Sequence, residues 1–250
     1  MNSDYRDRLF ASYNATHAAL LDLDEQATQA WFFDYARKNY WPLIGSLDVK
    51  CAEVLEVACN KGYLLSALSR LGFERLRGID LSPEDLAQAR RLAPNADVAN
   101  IDAFDYLDQT PTRFDVVILK AMLEHVPKAQ TMSLLEKINC SLRPGGFVII
   151  DVPNMDWLLA GHERYMDFTH EAGFTKESLG QVMRNVFSNV SVRPAVAPAE
   201  PGLKGRVIAW LRSCSIAIVQ VFLRIIGEGA SDVLWHSRAI IGVGQKHPGR

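Results

Sequence analysis

Three carboxylates that close short β-rich runs, and two loops bearing histidine, are the groups in this chain whose types and spacing could do chemistry. Glu56 lies at the end of the run 52–58, followed by Cys59, Asn60, Lys61 and Gly62, where a helical pattern opens. Ala58 and Gly62 have little or no side chain, so backbone there can approach a ligand closely. Asp80 ends the run RLRGID, 24 residues after Glu56, and Asp102-Ala103 follows the run ADVAN. Carboxylates accept hydrogen bonds from ammonium, hydroxyl and amine donors. A pyrophosphate cradle needs G-x-G-x-x-G, and this turn has one glycine, so that use is poorly supported. The plainer alternative is an ordinary strand-to-helix turn with exposed loop acids.

The histidines serve a different chemistry. Glu124-His125 follows the run FDVVILK, and the stretch 162–171 (HERYMDFTHE) follows the run GGFVIID. This second stretch gathers His162, Glu163, Arg164, Tyr165, Asp167 and His170, a density of titratable and aromatic groups unusual for an idle loop. Histidine suits a general base at neutral pH where the group attacked must lose a proton, as a hydroxyl must. The competing reading of His125 is a residue that merely holds its loop. For 162–171 it is a solvated, salt-bridged surface.

Elements must position these groups, and the chain supplies them in alternation. Apolar runs at 52–58, 75–80, 96–100, 114–120 and 145–151 are separated by helical stretches. Such runs imply a parallel sheet covered on both faces, the doubly wound α/β, Rossmann-like pattern, with ligands at the carboxyl ends of the strands. Ser82-Pro83-Glu84 reads as a capped helix start, and Arg143-Pro144-Gly145-Gly146 as a helix end turning into a strand. Ahead of the sheet, 4–45 reads as two helical patterns; Pro42 and Gly45 close the second, 26–40, whose aromatic stripe reads as a face packed on the body. After it come a loop at 153–174, a helix at about 176–187, a strand near 190–192, a Pro-rich linker, a long apolar helix at 203–226 and a strand at 239–243. The organisation expected is an N-terminal helical cap, 1–48, and one domain, 49–250, with a lid and a late helical insertion.

Composition sets the outer bounds. Hydrophobic residues make up 48% and charged residues 22% of 250 residues, which is ordinary for a globular chain. With 27 basic and 29 acidic residues there is no global electrostatic reason to expect nucleic acid as a partner. The four cysteines form no CxxC pair, so neither a zinc site nor a disulfide framework is signalled, and Cys51 and Cys140 read as core residues. The first residues are polar with no signal-peptide core, so a cytoplasmic location is expected.

Over 50–152 the ordered set resembles class I S-adenosylmethionine-dependent methyltransferases. Glu56 stands at the acid position of their first motif, and Ala58, Asn60 and Gly62 at its three glycine positions, two of them substituted. Asp80, Asp102, the run 114–117 with 123–126, and 142–146 follow in the family's order. The resemblance implies S-adenosyl-L-methionine as donor and S-adenosyl-L-homocysteine as product. It places Glu56 near the donor's amino-acid end, Asp80 at the ribose and Asp102 at the adenine. Ala58, Cys59, Asn60, Gly62, Leu81, Ala103 and Lys120 complete the expected donor site. The segment 164–175 looks like methyltransferases of bacterial surface-polysaccharide and sugar-modification clusters, which implies a carbohydrate or other small acceptor, methylated at oxygen. His170, His125 and Arg164 are the expected catalytic residues. Some relatives of the ubiquinone-biosynthesis O-methyltransferases hold a divalent ion through Glu-x-x-Glu-His here; Ala121 replaces the first acid, so no metal is expected, although Glu124 and His125 could recruit a lid residue. A quinone-type or lipid-linked acceptor is the first alternative, and a non-catalytic cofactor-binding module the second.

The helix at 203–226 carries Lys204, Arg206, Arg212 and Arg224 and no acid. Only 11 residues separate Arg212 from Arg224, against about 20 for a bilayer span. So apolar a helix is expected to be buried against the acceptor pocket or in a homodimer contact, with a peripheral membrane contact third.

Overall fold

The structure is a computed structural model that describes residues 8–9, 24–109, 114–198, 202–227 and 233–247. The first predicted helix lies, apart from Arg8 and Leu9, outside the described residues. Seven strands form one sheet: β1 (Glu53–Val57), β2 (Arg75–Asp80), β3 (Ala96–Asn100), β4 (Phe114–Lys120), β5 (Leu142–Pro153), β6 (Ser188–Pro194) and β7 (Ala239–Gln245). Their order is β3-β2-β1-β4-β5-β7-β6, with β1 to β5 parallel and β7 antiparallel between β5 and β6.

From residue 24 onward, the helices among the described residues are α1 (Glu25–Asn39), α2 (Trp41–Ile44), α3 (Tyr63–Arg70), α4 (Pro83–Leu92), α5 (Ala103–Gln109), α6 (Lys128–Ser141), α7 (Ala160–Tyr165), α8 (Lys176–Arg184) and α9 (Gly202–Ile226). Local chemistry starts them where expected. Asp24 accepts from the Ala27 N–H at 2.7 Å to cap α1, and Ser82 accepts from the Asp85 N–H at 3.2 Å with Pro83 in the first turn of α4. Thr175 and Ser178 form a reciprocal capping box on α8.

The largely apolar runs of β1 and β4 are buried because helices cover both faces. On one face Val117 and Leu119 meet Leu134 and Ile138 of α6; on the other Val116 and Ile118 share a core with Leu64 and Leu68 of α3 and with Tyr35, Ala36 and Tyr40. The N-terminal cap therefore packs into the sheet's own core. The chain reverses the growth of the sheet between β1 and β4, and the crevice at their carboxyl ends is the switch point where such folds place ligands.

Four expectations are corrected. Arg143-Pro144-Gly145-Gly146 is not a simple turn: β5 already pairs at Leu142, and the register with β4 shifts between Phe114 and Val116. Cys51 and Cys140 are exposed, while Cys59 is buried. The lid holds a short helix, α7, with Asn154 bridged to Phe174 across it. Finally, α9 is not buried: Leu203, Trp210, Ile218 and Ile225 along it are all exposed.

Candidate active site

The turn from β1 to α3 keeps a glycine-type backbone without the glycines. Ala58, Asn60 and Gly62 all have left-handed φ, at 58°, 46° and 76°. Asparagine tolerates that region, and alanine is strained there by about 1 kcal/mol. Neighbours hold the shape: Cys59 N–H donates to the Ile79 carbonyl at 2.9 Å, and Asn60 N–H donates to Asp80 Oδ2 at 2.8 Å. At Gly62 a Cβ would stand 2.7 Å from both Cα and Cβ of Ala89, so here only glycine lets α3 and α4 meet.

The three strand-end acids line neighbouring strands β1, β2 and β3. Glu56 is buried, and its Oε2 has no hydrogen-bond partner. Burial pushes its carboxyl well above the usual range; the Lys120 ammonium and the Leu65 N–H pull down, and Asp80 pushes further up. Asp80 is raised by burial, opposed by backbone N–H groups, and its Oδ1 accepts from Ser82 N–H at 2.9 Å. Asp102 Oδ1 accepts from Phe104 N–H at 2.8 Å, starting α5 beside buried Ala103. Leu81, 59% exposed, offers an apolar side chain next to Asp80. Burial, reinforced by Glu56 and Asp80, pushes the Cys59 thiol upward, so this cysteine is a small packing residue rather than a nucleophile.

A roof joins this crevice from the N-terminal side. Buried Asp151, near the end of β5, accepts from Tyr35 Oη at 2.7 Å and Tyr40 Oη at 2.5 Å, with Lys120 Nζ at 3.5 Å. Lys120 also sits 4.5 Å from the Tyr35 ring centre. Packing of this aromatic stripe is legible from its periodicity, whereas the hydroxyl contacts to a carboxylate more than a hundred residues away are not.

The histidine loops come together. Leu123–His125 is a 3₁₀ turn after β4, and its Glu124 carbonyl accepts from Glu171 and Ala172 N–H at 2.7 and 3.0 Å, which pins the lid to it. The His125 and His170 rings meet edge to face at 4.8 Å between centroids. Thr169 Oγ1 lies 2.8 Å from His125 Nδ1 and donates to Asp167 Oδ1 at 2.6 Å. A hydroxyl has one proton, and Thr169 gives it to a carboxylate that can only accept. The contact with His125 must then run from Nδ1–H to Thr169, which leaves the lone pair on Nε2. His170 Nδ1 lies 3.0 Å from the Glu163 carbonyl, which sets the same tautomer. Burial lowers the His170 pKa, keeping that ring neutral at pH 7.

Arg164, expected among the catalytic residues, instead donates to the His170 and Glu171 carbonyls at 2.7 and 3.3 Å, so it braces the lid. Thr169 and Asp167 were visible in the sequence only as lid residues; their separation by one residue is the signal for the turn that joins them. Glu124 is buried with both carboxylate oxygens unpartnered, and burial pushes it up to about 8. Ligand atoms of Glu124, His125 and His170 lie within 4.8 Å of one another, a set that could hold a cation, with the lid supplying the donor that Ala121 lacks.

Comparison with known proteins agrees with this architecture. Residues 54–146 match the family described as Methyltransferase domain. The chain is 36% identical over 105 residues to the ubiquinone biosynthesis O-methyltransferase of Aeromonas salmonicida, covering 40% of this chain and 43% of that protein. It is 27% identical over 250 residues to the carboxy-S-adenosyl-L-methionine synthase of Chromohalobacter salexigens, covering 88% and 90%. A crystal structure of an S-adenosylmethionine-dependent methyltransferase from Archaeoglobus fulgidus superposes with a TM-score of 0.64 at 18% identity, over 87% of this chain and 94% of that one. The chain thus spans less than half the length of the ubiquinone-pathway relative and most of the other two. The fold is the one seen in S-adenosylmethionine-dependent methyltransferases, and residues 54–146 of it match a methyltransferase domain.

Proposed function

We propose that the protein methylates an oxygen of a hydroxylated acceptor, first of all a sugar or glycan hydroxyl, with His125 as general base. The observation that carries this reading is the chain Asp167–Thr169–His125, which puts the imidazole lone pair on Nε2, with the His170 ring beside it. Proton transfer to Nε2 makes an imidazolium, and the Asp167 carboxylate stabilises that charge through Thr169. Glu124, pushed up to about 8, is neutral at pH 7 and does not compete for the charge. Arg164 holds the lid backbone in place and so acts as a positioning residue.

The residues of the crevice fit the donor. Glu56 Oε2, buried without a partner, suits an ammonium group. Each Asp80 oxygen accepts one backbone N–H and keeps a lone pair for a ribose hydroxyl. Asp102 has a second oxygen for an exocyclic amine, and Leu81 and Ala103 offer apolar cover. The left-handed turn Ala58–Gly62 lets backbone approach closely. When bound, S-adenosylmethionine supplies a sulfonium methyl that moves by in-line displacement, so the protein's remaining tasks are to align the acceptor and exclude water.

A quinone-type or lipid-linked acceptor is the second reading, favoured by the exposed apolar face of α9 and by the name of the ubiquinone-pathway relative. We place the protein in the cytoplasm or against its membrane. Labelled donor incubated with nucleotide sugars, glycans, phenols and lipid-linked sugars, with and without a chelator, tests the reading. Label on a carbohydrate hydroxyl, unaffected by chelation, is the expected result. Label only on phenols or lipid-linked acceptors selects the second reading, and strong metal-reversible inhibition assigns Glu124, His125 and His170 to a cation instead.

A further inference from the structure

We infer that α9 lies flat in the interface of an anionic lipid bilayer, apolar face down, and holds the enzyme at a membrane surface. This inference stands apart from the choice of acceptor. Leu203, Val207, Trp210, Ile218, Phe222 and Ile225 recur at helical spacing along one side of α9, and all are exposed, from 48% to 76%. Burying such side chains is worth about 1.5–3 kcal/mol each, so water is a poor environment for this face.

By length and composition α9 could cross a membrane, but the connections forbid it. Upstream, Val196 is tied to the body by its N–H on Asn39 Oδ1 at 2.8 Å. Downstream, Leu234 is tied by its carbonyl on Asn154 Nδ2 at 2.7 Å, and β6 and β7 pair in the same sheet. Six residues, 228–233, separate Gly227 from Leu234. Fully extended they reach about 25 Å, short of the roughly 30 Å hydrocarbon core. Both ends of α9 therefore stay on one side of any bilayer.

The charges decide between lipid and a second copy of the chain. Lys204, Arg206, Arg212 and Arg224 spread along the helix with no acid among its residues. A second copy of this helix would bring four more cations and no acid to offset them, while an anionic headgroup layer complements all four at about 1 kcal/mol per residue. Arg206, Ser213, Gln220 and Arg224 fall on one narrow stripe away from the exposed apolar side, which sets the rotation of the helix in the interface. Ser213 and Ser215 already donate to the Ala209 and Leu211 carbonyls at 3.0 and 2.9 Å, so their hydroxyls need no water. Trp210, 65% exposed, is the residue type that settles at the headgroup level.

The test is co-sedimentation of the full chain with vesicles of phosphatidylcholine alone or with phosphatidylglycerol added, alongside calorimetry with S-adenosylhomocysteine to check folding. Expected are binding to the anionic vesicles that weakens with salt, and about tenfold or greater loss in Ile218→Asp/Phe222→Asp with homocysteine-product binding intact. Arg206→Glu/Arg224→Glu should lose the preference for anionic lipid. Absence of vesicle binding overturns the inference. So does a concentration-dependent dimer that Ile218→Asp/Phe222→Asp abolishes, because the face would then belong to a second copy.

Discussion

At the scale of single residues, the site is defined by backbone shape and by unpaired charge more than by motif letters. Ala58 and Asn60 replace glycines yet hold the same left-handed conformation, because the Asn60 N–H is satisfied by Asp80 and the Cys59 N–H by Ile79. Glu56 makes the sharper case. Its carboxyl is raised by burial, so the free protein holds it protonated above the usual carboxylate range. Bound ammonium favours the ionised form, so donor binding should expel a proton, and affinity should rise with pH until the raised pKa is passed. Calorimetry of S-adenosylhomocysteine binding in buffers of different ionisation heat should show that release, and Glu56→Gln should abolish it while weakening binding by about 1–3 kcal/mol. Pure pH-independent binding in the parent would remove Glu56 from the site. The strand-end acids were legible in the sequence because each ends an apolar run. The tautomers of His125 and His170 were not, since they depend on Thr169 and on the Glu163 carbonyl, contacts made only when the lid folds back on β4.

At the scale of elements, α1 is joined to the sheet by polar contacts as well as by packing. Tyr40 is fully buried and donates to Asp151, and burial with the adjacent carboxylate keeps its phenol protonated. Tyr40→Phe deletes one donor and leaves Asp151 short of a partner in a dry setting, so it should cost about 1–3 kcal/mol in urea unfolding. A change below about 0.5 kcal/mol would mean that the roof is held by its rings alone. Helix starts were legible where a capping residue announced them, as at Ser82. The start of β5 was misread because Pro144 and Gly145 signal a turn, whereas a shift in register absorbs them within the strand. α7 escaped because six residues are too few to show a period.

At the scale of the whole molecule, the order β3-β2-β1-β4-β5-β7-β6 places the strand-end acids and the histidine pair at one edge of the sheet, on either side of the reversal between β1 and β4. Alternating apolar runs made that sheet legible, and an apolar helix between the two last strands was legible too, but the antiparallel pairing of β6 with β7 was not. The exposure of α9 could not be read: an apolar helix looks the same in sequence whether protein or lipid covers it. We propose that the two halves of this edge meet at the acceptor, with donor from one side and a proton-accepting His125 from the other. The most direct test is the steady-state rate of oxygen methylation by His125→Ala against the parent, with S-adenosylhomocysteine affinity measured in parallel. Turnover should fall about 10²–10⁴-fold with that affinity preserved; a variant that methylates at the parent's rate would rule out His125 as the base.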